Sequence, residues 1–289
     1  MPNWHESAAP APVQVSRYGA ERPGAPRVLF LHGLAGNDTM WQPAADVLAG
    51  DQELWIAQLP WRGQGVAGWG QDPDLGQWVE EALLAVPGGA DVVVAHSMAS
   101  NVLLELLDRS GRAGGDPFAR FGIRALVLVA PFYRGSTDAF DWDTISYYLN
   151  DFHLILREGI HAQSRGRIAP DTEVAMAERV REWIGPAGWI RFFDLYLRTP
   201  HLQTARITVP CLVLGGATDF AAEPANATAL AGALPDARLR VFDGSGHFPM
   251  VDEAERFGAE LQAFFDSVLV PRETSSTGPR PAGSLSTET

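Results

Sequence analysis

Two kinds of hydrophobic run alternate along this chain. Short apolar stretches recur at RVLFLH (27–32), ELWIAQL (53–59), DVVVAH (91–96), RALVLVA (124–130), PCLVLGG (210–216) and ARLRVFDG (237–244), each bounded by turn residues. Their apolar character is nearly continuous, as strands require when helices cover both faces of a parallel sheet. Between them, residues 39–49, 75–86, 98–110, 223–233 and 252–268 carry apolar positions at helical spacing. Strand and helix in alternation predict an α/β fold, doubly wound around a mostly parallel sheet. PVQVSRYG (12–19) is a candidate antiparallel edge strand.

The rhythm breaks once. Residues 131–208 contain no strand pattern, and WDTISYYLNDFHLILREGI (142–160), DTEVAMAERVREWI (171–184) and AGWIRFFDLYLRT (187–199) read as helices, the last two separated by Gly185-Pro186. The expected organisation is therefore a core of residues 1–130 and 209–269 with an inserted helical cap at 131–208. Residues 270–289, rich in Pro, Ser, Thr and Gly with little to bury, are expected to form a disordered tail.

Charge and composition remove several function classes. Acidic residues outnumber basic ones 35 to 22, a net charge of −13 that would repel nucleic acid or an anionic membrane. Every basic residue is arginine, which excludes lysine Schiff bases, a Walker-type phosphate loop and a Ser-Lys dyad. Cys211 is alone and lies within an apolar run, so a buried, inert thiol is expected. His5, His153, His161 and His201 show no ligand spacing, and no metal site is expected. The opening MPNWHESAAPAPV lacks the pattern of a leader, and no run reaches the ~18–20 apolar residues that span a bilayer, so a soluble cytoplasmic protein is expected.

Candidate chemistry collects where parallel sheets place it, just beyond the carboxyl ends of strands. Ser97 follows the strand 91–96 within VVVAHSMASNVLLELL (92–107), Asp219 follows the strand 210–215, and His247 follows the strand 237–242. Each has a plainer reading. Ser97 could cap the helix that follows it. Asp219 could be a turn residue. Asp243 could contact His247 in place of Asp219, although its position before Gly244 suits a turn.

The order Ser, Asp, His, with Ala95-His96-Ser97-Met98-Ala99 between strand and helix, resembles the α/β-hydrolase superfamily, whose elbow reads small-x-Ser-x-small with glycine usual at both small positions. The resemblance covers roughly residues 25–268. It implies a Ser97-His247-Asp219 triad and an oxyanion hole made by the N–H groups of Leu34, in FLHGLAGND (30–38), and Met98. It also implies a loop-organising role for His32 and a packing role for His96. QLPWRGQG (58–65) departs from the family's Asp-x-x-Gly-x-Gly at Gln58, Trp61 and Arg62. Serine at the elbow argues against the dehalogenase and epoxide-hydrolase branches, which use aspartate there.

Such a member needs no cofactor. The expected substrate is a small-molecule ester or thioester of an apolar, even aromatic, acid, because the insertion is rich in aromatic residues. Phe132, Tyr133, Trp142, Tyr147, Trp189 and Phe193 are the expected pocket residues, alongside Tyr148 and Trp183. Trp189, Phe192, Phe193, Tyr196 and Leu197 also form a stripe at helical spacing that suits a core. Carbon–carbon bond hydrolysis, an intramolecular cyclisation, and non-catalytic ligand binding remain open alternatives on the same residues.

Overall fold

The computed structural model describes residues 13–48, 50–61, 69–151 and 153–269. The segment expected as a tail (270–289), the opening residues 1–12 and Arg62 lie outside the described residues.

The described chain builds a seven-stranded sheet from β1 (Gln14–Tyr18), β2 (Arg27–Leu31), β3 (Glu53–Gln58), β4 (Val92–His96), β5 (Ala125–Val129), β6 (Cys211–Gly216) and β7 (Ala237–Phe242). Their order is β1-β3-β2-β4-β5-β6-β7. Only β1 is antiparallel, pairing Gln14 with Gln58 and Tyr18 with Leu54. Alternate side chains serve opposite faces, as the pleat requires. Leu29, Leu31, Val93, Ala95, Leu126 and Leu128 join one core. Val28, Phe30, Val92, Val94, Ala125 and Val127 join the other. Helices cover both faces, which is why the central strands carry no polar alternation.

β7 is the exception among the strands expected to be continuously apolar. It lies at an edge and alternates, with Arg238 and Arg240 exposed and bonded to Ser267 and Glu260 of the last helix.

The helices are α1 (Gln42–Leu48), α2 (Gly76–Ala85), α3 (Met98–Arg112), α4 (Pro117–Phe121), α5 (Trp142–Asn150), α6 (His153–Ser164), α7 (Pro170–Leu197), α8 (Pro224–Ala233), α9 (Pro249–Asp252) and α10 (Ala254–Val268). The helix expected over 142–160 is two helices, parted at Asp151, and the second runs on to Ser164. α7 is broken at Gly185, whose φ of 60° and ψ of 174° are not helical. The periodicity does not indicate α4, although its stop and start signals are present: the Asp116 carboxylate accepts from the N–H groups of Phe118 and Ala119, and Gly122 closes the helix at φ 76°. Among the described residues no helix is long and apolar enough to cross a membrane.

Candidate active site

Between β2 and β4 the strand order reverses, because the chain first steps outward to β3 and then returns. The loops after β2 and β4 therefore lie side by side, opening a crevice at the carboxyl end of the sheet. Ser97 stands at its floor, between the last residue of β4 and the first of α3. Its φ of 55° and ψ of −126° put it where a side-chain-bearing residue costs on the order of 1–3 kcal/mol. Surrounding bonds hold that strain: the Ser97 N–H donates to the Val129 carbonyl at 2.8 Å, and the Ser100 hydroxyl donates to the Ala95 carbonyl at 2.7 Å. Ala95 and Ala99 are fully buried, so alanine fits where the strand and helix backbones converge. Ser97 makes no capping hydrogen bond to α3, and its hydroxyl instead meets His247.

His247 lies in the loop between β7 and α9, its ring buried. Nδ1 is 2.7 Å from Asp219 Oδ2, a carboxylate oxygen that can only accept, so Nδ1 carries the proton. Nε2 is then free to accept from Ser97 Oγ at 2.9 Å. The other Asp219 oxygen accepts from the N–H groups of Ala221 and Ala222, both at 2.9 Å, which locks the carboxylate's rotation. Asp243 is exposed on its turn. Burial by itself would push the His247 imidazole down; the charge and hydrogen bond of Asp219, with the charge of Glu158, carry it above the ordinary histidine value.

The peptide of His247 is held from both sides. Its N–H donates to Glu158 Oε1 on α6 at 2.8 Å. Its carbonyl accepts from His96 Nε2 at 2.9 Å. Burial, reinforced by neighbouring His247, keeps His96 well below its ordinary value, so this imidazole is neutral and donates through Nε2. His96 thus does more than pack. Glu158 carried no signal in the sequence, since one glutamate within a helix is usually a solvated one.

Glycine makes the closest approaches possible. A Cβ on Gly33 would stand 2.8 Å from the Ser97 Cβ, and one on Gly216 only 1.9 Å from the Gly246 carbonyl oxygen. The Asp219 and His247 loops therefore touch through Gly216. Gly216→Ala is expected to lower stability by about 1–3 kcal/mol through forced displacement of backbone, read as a fall in Tm. An unchanged Tm would show that the loops part freely.

The loop after β2 is organised around His32. Its Nε2 accepts from the Leu59 N–H at 2.9 Å and its Nδ1 donates to the Gly33 carbonyl at 2.9 Å. Gln58 lies 3.2 Å from the same Nε2, and Trp61 Nε1 donates to the His32 carbonyl at 2.9 Å. Gln58 and Trp61, which depart from the family's pattern, thus brace this loop. It presents Leu34 to the cavity above Ser97. Met98 opens α3, where the first N–H groups have no acceptor within the helix.

That cavity has a volume of about 210 Å³. Of the expected pocket residues Trp183 lines it, whereas Phe132, Tyr133, Trp142, Tyr147, Tyr148, Trp189 and Phe193 do not. Phe132 is buried against His247, Phe192 and Tyr196, while Tyr133 donates its N–H to Asn226. Trp142 is 81% exposed. Tyr147 donates its hydroxyl to the Phe220 carbonyl, and Phe193 packs on Tyr148. Trp189 lines a separate groove with Leu149, Ile184 and Pro186. The other walls come from Ile155, Leu156, Gly159 and Ile160 of α6 and from Val180 of α7, beside Trp183.

Among the described residues no three His, Cys, Asp or Glu side chains are arranged to hold a metal. What the arrangement can do is move a proton. A hydroxyl on a strained turn faces an imidazole whose other nitrogen is fixed by a buried carboxylate, under a partly open and partly apolar cavity.

The model of the alpha/beta hydrolase family matches residues 28–260, and the chain belongs to that family. A curated relative, the pimeloyl-[acyl-carrier protein] methyl ester esterase of Vibrio atlanticus, is 25% identical over 258 residues, covering 83% of this chain and 94% of its own. Among solved structures, an N-acyl homoserine lactone degrading enzyme superposes with a TM-score of 0.61 at 18% identity, covering 87% of this chain and 96% of the other. An esterase from Rhodococcus sp. ECU1013 does so with a TM-score of 0.60 at 20% identity, covering 89% and 95%. These structural likenesses establish the fold.

Proposed function

We propose that the protein is a serine hydrolase that cleaves an ester or thioester of a small apolar acid through an acyl-enzyme at Ser97. One observation carries the reading: Ser97 Oγ, His247 and Asp219 form a continuous hydrogen-bonded series, at 2.9 and 2.7 Å, beneath a cavity sized for a small substrate. The Vibrio relative, an esterase by name, supports the same class of bond.

In this reading His247 Nε2 takes the Ser97 proton as Oγ attacks the acyl carbon. Asp219 stabilises the imidazolium, which then protonates the leaving alcohol or thiol. The N–H groups of Leu34 and Met98 receive the oxyanion. A water activated by His247 then releases the acid. Residues 131–208 act as the cap, with Leu156 and Trp183 shaping the acyl or alcohol pocket. Nucleophile and base both belong to the chain, so no cofactor is required.

A fluorophosphonate probe and a series of p-nitrophenyl esters of rising chain length test the reading together. One covalent adduct at Ser97 and turnover of the shorter esters are expected; failure of both would overturn it. The pH dependence has a defined sign. Protonated imidazole cannot accept the Ser97 proton, so kcat/KM falls as pH drops through the raised His247 value. The acid limb is expected above the ordinary histidine pKa of ~6.5, and a limb below it would contradict the Asp219 partnership.

A further inference from the structure

The insertion is tied by side chains to both loops that carry Asp219 and His247. Tyr147 and Tyr148 of α5 donate their hydroxyls to the carbonyls of Phe220 and Ala221, each at 2.7 Å, just beyond Asp219. Glu158 of α6 accepts the His247 N–H at 2.8 Å. Two glycines permit this last contact. A Cβ on Gly246 would fall 1.9 Å from Glu158 Oε1, and one on Gly159 would fall 2.8 Å from the Phe248 ring. The second carboxylate oxygen, Oε2, is buried with no hydrogen-bond partner among the described residues.

A carboxylate in that position is costly unless it acts on something nearby. Holding a peptide N–H needs only an oxygen, which glutamine would supply. The negative charge matters to the group on the same residue, the imidazole that becomes a cation during acylation. We propose that Glu158 is a positioning residue for His247, registering its loop through the main-chain N–H and placing a second negative charge, beside that of Asp219, near the imidazolium. The proposal rests on the Ser97–His247 reading above.

The surroundings set the sign. His247 and Asp219 face Glu158 from the two loops, and Asp252 faces it from α9. Burial raises the Glu158 carboxyl above its ordinary value, Asp219 and Asp252 add to this, and the imidazole and N–H of His247 oppose it. His247 itself is faced by Asp219, Glu158 and neutral His96. Removing the Glu158 charge therefore makes His247 easier to deprotonate.

The test follows the rate of fluorophosphonate labelling of the full chain across about pH 5–9. Labelling of the parent protein at Ser97, lost in Ser97→Ala, establishes the underlying reading independently of Glu158; no labelling of the parent would sink that reading and the proposal with it. Glu158→Gln is expected to label roughly tenfold more slowly at its plateau, with the acid limb displaced to lower pH. Gly246→Ala, which displaces the Glu158 carboxylate without removing it, is expected to move the limb in the same direction and serves if Glu158→Gln folds poorly. A parent that labels normally beside variants with the parent's rate and limb overturns the proposal. So does slower labelling with an unmoved limb in both variants, because a purely packing role predicts that outcome.

Discussion

Ser97→Ala is expected to lower kcat/KM toward a p-nitrophenyl ester by about 10⁴ or more while the protein stays folded. Alanine removes only the Oγ that meets His247 Nε2. It keeps the main-chain bonds that hold the turn, including the donation from the Ser97 N–H to Val129. It also inherits the same unfavourable φ of 55°, so folding stability should change little. Thermal unfolding beside ester turnover separates the two effects. Activity within tenfold of the parent, from a variant with the parent's Tm, would end the assignment of Ser97 as the nucleophile.

Asp219→Asn is expected to cost a similar factor, about 10⁴ in kcat, for a different reason. One oxygen of Asp219 accepts from Ala221 and Ala222, so the asparagine carbonyl will take that place. Its amide nitrogen then faces His247 Nδ1 as a donor. The imidazole must answer by carrying its proton on Nε2, which points a proton at Ser97 where an acceptor is needed. The expected signature is a large loss of kcat with modest change in KM and no loss of fold. A variant retaining more than a tenth of the parent's kcat would mean that Asp219 does not set the imidazole's tautomer.

That these three side chains meet could be read from the sequence, because each follows an apolar strand and the ends of parallel strands converge. The sheet was legible for the same reason: continuous apolar runs have one good solution when both faces are covered. The pocket was not. Much of its lining comes from Ile155, Leu156, Gly159 and Ile160 of α6, and hydrophobic spacing does not reveal that α5 ends at Asn150 and α6 begins afresh at His153. Aromatic abundance is a poor guide to the lining, since Trp183 reaches the cavity but Phe132, Tyr148, Phe192 and Tyr196 pack on one another in the core and Trp142 faces solvent. Glu158 was illegible too. Its significance lies in a contact with His247, 89 residues further along the chain.

The interruption of α7 at Gly185 separates two duties within one long helix. Val180 and Trp183, before it, look into the cavity, whereas Gly188, Phe192 and Tyr196, after it, are wedged against Trp69 and Phe132. Because the limbs do not share a continuous hydrogen-bond ladder, a change of side chain on the first need not be transmitted to the second. Positions 180 and 183 can thus change, and with them one wall of the cavity, while the scaffold beneath keeps its stability.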